Sequence, residues 1–357
     1  MDHGIGRYEG LEAIRVGDSP HDCVQLTYAG GDKLYIPVEN LVAGNNASLE
    51  IMHDLVVWSL LHGTVDSPRP WSQESVVKFL CPAPGYDRHF AITESLGIEM
   101  IPVPLRPEKG FHMQAADLER AITPHSRVLL LNTPHNPTGA VLTAEEIAAI
   151  GEVCRRHDLW IVSDEVYEEL ILEGRFASPF DDPALAERTI VCSSISKSHA
   201  APGFRSGWAI GPAEFCARLL AVSETMLFGQ QPFIADMTAH ALDNPIGTSA
   251  LMRTAYRRRA ALIGAMLAEA PGLVPFPPEA GMFIVVDVSG TGMDGEAFAW
   301  ALLNEEEVAV MPGSAFGAEA RDFIRISLTV PDDRIEEACR RMAALAARSG
   351  VRTARRA

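Results

Sequence analysis

The sequence predicts an α/β protein with three layers, in which helices cover both faces of a mainly parallel sheet. The first observation is that helical stretches alternate with short β-rich runs from about Asn45 onward, an order typical of a parallel sheet flanked by helices. The second is size. A chain of 357 residues, of which 47% are hydrophobic, can bury a large core divided over two or three domains. Ligands of such sheets bind beyond the carboxyl ends of the strands.

Residues 1–43 are expected to form a separate, short β-rich segment. Alternating residues around Ala13–Val16 and Cys23–Tyr28, and a further run ending at Val38, predict short strands separated by glycine turns. A piece of this size can hardly hold a core alone, so we expect it to pack on the remainder of the chain.

The α/β part begins with a helix and continues with five predicted strands. Ser48–His62 carries apolar residues at helical spacing, as does Ala144–His157. The predicted strands, in chain order, are Val76–Leu80, Glu99–Val103, Val128–Leu131, Trp160–Ser163 and Ile190–Cys192. We expect a large domain over residues 44–243 and a smaller α+β domain over residues 244–357.

Composition and charge narrow the classes of function. A net charge of −17 disfavours phosphate-backbone binding over the whole surface. The basic stripe Arg253, Arg257, Arg258 and Arg259 leaves local binding open, and we interpret it as a solvated helix face. No apolar run approaches the 18 or more residues that span a bilayer, and no export signal follows Met1. The six cysteines include no C-x-x-C pair, which argues against a zinc site and a disulfide framework. We therefore expect a cytoplasmic protein with reduced thiols, without a metal and without a membrane partner.

Four short motifs carry the functional signal, and the first three each follow a predicted strand. In chain order they are Asn136-Pro137-Thr138-Gly139, Asp164-Glu165-Val166-Tyr167, Ser194-Ile195-Ser196-Lys197 and the single residue Arg205. One four-residue match is a weak signal, but three in this order, followed by a suitably placed arginine, are strong. Because the strand ends converge at one edge of a sheet, the motifs predict a single coenzyme site typical of pyridoxal-phosphate enzymes. Lys197 is the one lysine after Lys109, so it would be the amine that forms a Schiff base with the coenzyme.

The runs around these motifs resemble known families. Residues from about 45 to 345 resemble class I/II aminotransferases of the aspartate aminotransferase fold type, which is fold type I of the pyridoxal-phosphate enzymes. The part from about Arg106, with SISKSHA, GWAIGP and GMFIVVD, is similar to arginine–pyruvate transaminases, while NNASLEIMHDL and FLCPAPGYDRHF resemble another subfamily. The runs HGIGRYEGL and YAGGDKLYIPV resemble the RNA-polymerase-interacting module of CarD-like regulators and the transcription-repair coupling factor.

The aminotransferase resemblance implies roles for residues around the coenzyme ring. Asp164 would face the pyridine nitrogen and keep it protonated, with His89 supporting Asp164 from behind. Tyr167 and Asn136 would hydrogen-bond the phenolic oxygen, and Tyr86 would stack on the ring. Lys197, Asp164 and Tyr167 are the residues expected in catalysis.

The resemblance also implies how the phosphate and the substrate are held. The phosphate would be bound by Arg205, by the hydroxyls of Ser194 and Ser196, and by the helix start at Asn45-Asn46-Ala47.

For the substrate, Arg325 would grip the α-carboxylate with a two-pronged hydrogen-bond pair, beside Asn136. Phe283 would shape the side-chain pocket. These positions imply L-amino acids and 2-oxo acids as substrates, and the family implies a homodimer.

Aminotransferases of this type usually have a longer N-terminal region that clamps the substrate and reaches the neighbouring subunit. Here the β-rich segment takes that place. Since every coenzyme contact predicted above lies downstream of it, we expect coenzyme binding to survive this replacement better than turnover.

Three classes of function remain open at this point. The first is an amino acid transaminase. The second is another pyridoxal-phosphate reaction, such as β-elimination or racemisation, because fold and coenzyme do not fix the reaction type. The third is a non-catalytic binding protein in which residues 1–43 dock on RNA polymerase.

Overall fold

Three sheets form the framework of the protein. The structure is a computed structural model that describes residues 7–16, 19–27, 33–37, 41–44, 47–64, 69–227, 231–244 and 247–354. Within these ranges there are a three-stranded, a seven-stranded and a four-stranded sheet. The predicted positions Asn45 and Asn46 lie outside the described residues.

The N-terminal sheet is a short antiparallel meander. Its strands are β1 (Arg7–Val16), β2 (Ser19–Thr27) and β3 (Lys33–Pro37). The central strand β2 pairs antiparallel with both neighbours. This confirms the β-rich character predicted for the start of the chain.

The seven-stranded sheet carries the candidate site and has the order β4-β10-β9-β8-β7-β5-β6. Its strands are β4 (Leu41–Gly44), β5 (Lys78–Ala83), β6 (Glu99–Pro104), β7 (Ser126–Asn132), β8 (Trp160–Asp164), β9 (Thr189–Ser194) and β10 (Gly207–Ile210). The five strands from β5 to β9 pair in parallel, and β10 runs antiparallel to both β9 and β4. Residues 41–43, predicted as the end of the β-rich segment, instead belong to β4 and therefore to the large sheet.

Helices cover both faces of this sheet. The helices of this part of the chain, in order, are α1 (Ala47–His62), α2 (Asp87–Ser95), α3 (Ala115–Ala121), α4 (Ala144–Arg156), α5 (Ile195–Ser198), α6 (Ala213–Leu227) and α7 (Pro232–Asp243). Alternate residues of a strand point to opposite faces. Leu129 and Leu131 accordingly pack in the layer that holds α3 and α4, while Val128 and Leu130 pack in the layer that holds α1 and α6. The three-layer α/β class is therefore confirmed.

The C-terminal part forms a smaller α+β unit. Its strands are β11 (Val274–Phe276), β12 (Phe283–Asp287), β13 (Met311–Pro312) and β14 (Phe323–Ser327), in the all-antiparallel order β11-β12-β14-β13. Its helices are α8 (Thr248–Ala268), α9 (Gly295–Glu306) and α10 (Asp332–Ala354). The core between sheet and helices includes the fully buried Ile263, Phe298, Ile324 and Met342.

Two further features bear on the predictions from composition. No helix among the described residues is long and apolar enough to cross a membrane. Five cysteines, Cys81, Cys154, Cys192, Cys216 and Cys339, are buried and free of disulfides.

Candidate active site

Lys197 lies at the carboxyl end of β9, on the single helical turn α5. The turn starts at Ser194, whose hydroxyl oxygen accepts a hydrogen bond from the N–H of Ser196 (3.3 Å). The Lys197 side chain is half-buried, with Nζ 5.9 Å from the centre of the Tyr167 ring. Burial lowers the pKa of Lys197; nearby Asp164 acts in the opposite direction, and the positive charges of Arg325 and Arg205 lower it further. A lower pKa increases the neutral fraction of this amine, which is the nucleophilic form.

Asp164 ends β8 and forms a buried pair with a histidine from α2. His89 Nε2 lies 3.0 Å from Asp164 Oδ2, and both side chains are at most 5% exposed. The second carboxylate oxygen accepts a hydrogen bond from the N–H of Val166 (3.3 Å). A buried carboxylate with both oxygens occupied is fixed in orientation. The Tyr86 ring packs edge-on against His89, with 5.2 Å between ring centres.

Asn136 and Arg325 meet although they are far apart in the sequence. Arg325, on β14, donates from Nη1 to Asn136 Oδ1 (2.8 Å). Its guanidinium lies over two aromatic rings, 3.8 Å from the centre of Phe283 and 4.6 Å from that of Phe316. Stacking on both rings holds the guanidinium plane in one orientation. Burial lowers the pKa of Arg325, although an arginine stays charged at any ordinary pH.

Tyr167 lies near both Lys197 and Phe283. Its side chain is 4% exposed, and its ring packs edge-on against Phe283 with 6.3 Å between centres. Burial raises the pKa of its hydroxyl, and the charge of Asp164 raises it further. Tyr167 therefore keeps its proton and can donate it in a hydrogen bond.

Of the predicted phosphate contacts, Ser194 and Ser196 lie on the same turn as Lys197, and Arg205 acts electrostatically on its amine. The buried hydroxyl of Ser196 has no hydrogen-bond partner among the described residues. Arg205 has a left-handed backbone (φ +53°) and donates to the carbonyl of Pro202 (2.8 Å). Burial, followed by the charge of Asp54, raises the pKa of Glu50 in the first turn of α1, and the positive charge of Arg205 acts in the opposite direction. Arg205 and the α1 terminus at Ala47 are therefore electrostatic neighbours.

These residues fit pyridoxal phosphate. A buried hydroxyl without a partner, an arginine and a helix N-terminus form a donor set that suits a phosphate dianion. The half-buried amine of Lys197 suits an aldehyde, and the His89-supported carboxylate of Asp164 suits a protonated ring nitrogen. The described residues contain no group of three or more His, Cys, Asp or Glu side chains that could hold a metal ion.

The structure connects most of the predicted site residues and adds another. Contacts link Tyr86 through His89 to Asp164, and Tyr167 through Phe283 and Arg325 to Asn136. Asp164 and Tyr167 interact electrostatically, and Lys197 lies near Tyr167 and within electrostatic reach of Asp164 and Arg325. The sequence analysis assigned no role to Asn132. Asn132 accepts from the N–H of Asn136 (2.8 Å) and donates to the carbonyl of Asp164 (3.0 Å), so it joins two of the motifs. The position of Asn132 at the end of β7 is the sequence feature that could have identified it.

Comparison with known proteins agrees with this geometry. Residues 72–342 match the family model "Aminotransferase class I and II". Residues 1–43 match the model "CarD-like/TRCF RID domain".

Individual relatives are similar over the same region. The arginine–pyruvate transaminase AruH of Pseudomonas aeruginosa is 44% identical over 74% of this chain and 67% of its own length. The aspartate/prephenate aminotransferase of Cereibacter sphaeroides is 38% identical over 67% of this chain and 63% of its own length. The chain thus spans about two thirds of these relatives.

Solved structures share the fold. The aromatic aminotransferase of Pyrococcus horikoshii aligns with a TM-score of 0.79 and 28% identity, over 87% of this chain and 80% of that one. The N-succinyldiaminopimelate aminotransferase of Mycobacterium tuberculosis aligns with a TM-score of 0.76 and 32% identity, over 87% and 79%. The chain therefore belongs to the class I and II aminotransferases, a pyridoxal-phosphate-dependent family of fold type I.

Proposed function

We propose that this chain is an aminotransferase that moves the amino group between an L-amino acid and a 2-oxo acid, with Lys197 as its catalytic amine. One observation carries the proposal. The half-buried Lys197 lies within electrostatic reach of both Asp164 and Arg325, so an amine, a carboxylate for a ring nitrogen and a cation for a substrate carboxylate surround one space.

The coenzyme half of the site is built on Asp164. Bound pyridoxal phosphate supplies an aldehyde that condenses with amines and a protonated ring that accepts electrons from a bond to the substrate Cα. Asp164 would hold the ring nitrogen, and His89 and the Val166 N–H keep its carboxylate in one orientation. Tyr86 would cover the ring. Tyr167, which keeps its proton, and Asn136 would donate to the phenolic oxygen.

Lys197 moves the proton. Its lowered pKa leaves more of Nζ neutral near pH 7, so that Nζ can accept the proton from the substrate Cα and later donate it on the coenzyme side. The short turn α5, capped by Ser194, keeps the amine close to the end of β9.

Arg325 binds the substrate α-carboxylate. A guanidinium offers two parallel N–H donors to a carboxylate, and the contact with Asn136 together with the rings of Phe283 and Phe316 fixes the direction of those donors. The same rings exclude water from the pair, which strengthens it. Phe283 would also border the side-chain pocket.

The phosphate would be held by Arg205, Ser194, Ser196 and the start of α1 at Ala47, with Asn45 and Asn46 preceding that helix. We infer a homodimer as the working form, as the family resemblance implies, with amino acids and 2-oxo acids as its small-molecule partners.

The test is an absorption and turnover experiment on the full chain loaded with pyridoxal phosphate. We expect a band near ~420 nm that an accepted amino acid bleaches, and a new 2-oxo acid that forms only in the presence of an amino acceptor. The amino acid panel includes arginine with pyruvate, aspartate and aromatic amino acids, because the relatives and solved structures above are named for them.

Lys197→Ala should lose both the band and turnover. Lys109→Ala is the matched control, since Lys109 is exposed in a short turn before α3, and it should behave as the unchanged protein. Turnover that persists in Lys197→Ala would contradict the proposal. Release of ammonia in place of amino transfer would indicate an elimination.

A second candidate function concerns the N-terminal segment. The match of residues 1–43 to a CarD-like/TRCF RID domain and the antiparallel meander β1–β3 support docking on RNA polymerase. The full chain should retain purified polymerase in a pull-down, and a chain shortened by residues 1–40 should not, while both bind the coenzyme. Equal retention by the two chains would eliminate this partner.

A further inference from the structure

The segment that leads into β12 packs closely on the turn that carries Asn136. The N–H groups of Glu279 and Ala280 both donate to the carbonyl of Gly139 (3.1 and 2.9 Å). Gly139 has a positive φ of +76°, and a Cβ there would lie 2.4 Å from Cβ of Pro278. Only glycine fits such a contact without a shift of backbone, so the two segments are in direct van der Waals contact.

The side chain of Glu279 also bonds to the segment that follows the Asn136 turn. Its Oε2 accepts from the N–H of Val141 (2.7 Å), just after the Asn136 turn, and pairs with Nε2 of His112 (3.0 Å). Its main-chain carbonyl accepts from the N–H groups of Leu172 and Glu173 (2.7 and 2.8 Å). One residue thus joins three separate parts of the large domain.

His112 anchors this carboxylate to α4. Its Nδ1 lies 2.8 Å from Oε2 of Glu146, which also closes the capping box at the start of that helix. With a carboxylate on each ring nitrogen, both nitrogens act as donors, which requires the protonated ring. The hydrogen bond to Glu279, opposed by burial and aided by Glu146, raises the pKa of His112 to about 9. The anchor is therefore an ion pair at neutral pH.

The link continues from this turn to the substrate arginine. Asn136 is three residues from Gly139, and its N–H is held by Asn132 while its side-chain oxygen accepts from Arg325. Arg325 lies on β14, opposite Val285 of β12, the strand into which the Glu279 segment leads. Glu279 therefore fixes both the Asn136 turn and the entry to the strand beside Arg325.

We propose that Glu279 is a positioning residue for the substrate carboxylate: by holding the Gly139–Val141 end of the turn, it sets where Asn136 orients Arg325. The inference rests on the proposed function in that Arg325 receives the α-carboxylate. Glu279 itself touches neither substrate nor coenzyme.

The experiment compares Glu279→Ala and Glu279→Gln in the full, coenzyme-loaded chain. Glu279→Ala removes the acceptor for Val141 and His112, so KM for the amino acid should rise ~10-fold with kcat changed less than about 3-fold. Hydrogen exchange at the amides of residues 139–141 should accelerate ~10-fold, because Val141 loses its partner. Glu279→Gln keeps an acceptor oxygen for Val141 and should recover most of both losses.

Glu173→Ala is the matched control. Its side chain is exposed, and its backbone bond to Glu279 remains, so KM and exchange should stay as in the unchanged protein. The ~420 nm band should persist in all three variants, since Lys197, which forms the Schiff base, and its neighbour Asp164 are unchanged.

The failures of the two proposals look different. Glu279→Ala with an unchanged KM, beside an Arg325→Ala that loses substrate binding, would overturn the positioning role alone. A loss of melting temperature and kcat at constant KM would show a purely structural role and overturn it as well. An unchanged KM in Arg325→Ala would overturn the assignment of Arg325, and the inference with it.

Discussion

At the residue scale, the contacts of Arg325 fix the orientation of its guanidinium. Charge attraction to a carboxylate alone would not require a fixed orientation. The guanidinium lies between the rings of Phe283 and Phe316 and donates to Asn136. A lysine would keep the charge but present a single point donor without the planar stack. The geometry, and not only the charge, is therefore expected to determine substrate affinity.

Arg325→Lys tests this expectation. KM for the amino acid should rise ~100-fold with a smaller change in kcat, because a two-pronged hydrogen-bond pair that aligns the substrate is replaced by one contact. The coenzyme band should be unchanged. Steady-state kinetics with an accepted amino acid make the measurement.

Arg321→Lys is the comparison variant. Arg321 is exposed and pairs with Asp294 at the surface of the same unit, so its exchange for lysine should leave both constants as they are. A wild-type KM in Arg325→Lys would mean that the flanking rings and Asn136 have no part in substrate binding.

The residue scale also shows what the sequence could reveal about the site. The motifs identified Lys197 and Asp164, and the family resemblance placed His89 against Asp164, 75 positions away. The role of Glu279 depends on which amide and which imidazole lie opposite its carboxylate, and no local pattern encodes that. The contact of Phe316 with Arg325 could not be predicted for the same reason.

At the scale of elements, the large sheet was predictable where its strands are parallel. The five strands β5 to β9 all appear within a few residues of their expected positions, because continuous apolar runs between helices are a strong signal. Strands β4, β10 and β13 have only two to four residues each. Such short runs are too brief for periodicity to identify.

The basic stripe on α8 shows a second limit of prediction from the sequence. A solvated helix face was predicted; Arg257 and Arg258 are exposed as expected, but Arg253 and Arg259 are half-buried. Arg257 donates to the carbonyl of Leu172, and Arg259 donates to the carbonyl of Leu328 and to Asp332. These bonds join α8 to neighbouring segments. A charge pattern in the sequence cannot predict them, because most of the acceptors are backbone carbonyls.

The turn at Gly139 allows a test at the element scale. In Gly139→Ala the new methyl group would meet Pro278 at 2.4 Å and the carbonyl of Ala280 at 2.7 Å, in a backbone with φ +76°. We expect a loss of about 2–4 kcal/mol in the free energy of unfolding, together with a raised KM, because the Asn136 turn must move. Chemical denaturation and kinetics measure the two effects.

Gly264→Ala provides the opposite expectation from the same chemical change. Gly264 lies inside α8, and no atom of a neighbouring segment lies within 4 Å of the position that a methyl group would take, so alanine should stabilise the protein by about 0.5–1 kcal/mol. If Gly139→Ala were as stable as Gly264→Ala, the close contact between the turn and the Pro278 segment would not exist in solution.

At the scale of the whole molecule, stability should depend on pH through a half-buried carboxyl group that the proposed chemistry does not use. Glu168 follows Tyr167 in a short turn and accepts a hydrogen bond from the hydroxyl of Ser193 (3.0 Å). Burial, with a further contribution from Glu169 that outweighs the Ser193 hydrogen bond, raises the pKa of Glu168 to about 8. The folded protein therefore keeps a proton on Glu168 that the unfolded chain loses near pH 4.5.

The direction of the effect follows from this difference in bound protons. Between pH 4.5 and 8 the folded form holds more protons than the unfolded form, so the free energy of unfolding falls as pH rises through this window. His112 acts in the same direction at higher pH, because its pKa is raised to about 9 from 6.5. Its contribution is fully present below pH 6.5 and is lost as pH rises through about 9.

Glu168→Gln isolates the contribution of Glu168 to the pH dependence of stability. Glutamine keeps an acceptor for Ser193 but cannot ionise, so the variant should match the unchanged protein near pH 5 and exceed it by about 1–3 kcal/mol near pH 8.5. The alkaline decline that remains would belong to His112 and to Glu165, whose pKa is also raised by burial. Urea denaturation at fixed ionic strength across this range makes the measurement, with the exposed Glu173→Gln as the control for charge alone. A constant difference between Glu168→Gln and the unchanged protein at all pH values would show that Glu168 titrates in the folded protein as it does in the unfolded chain.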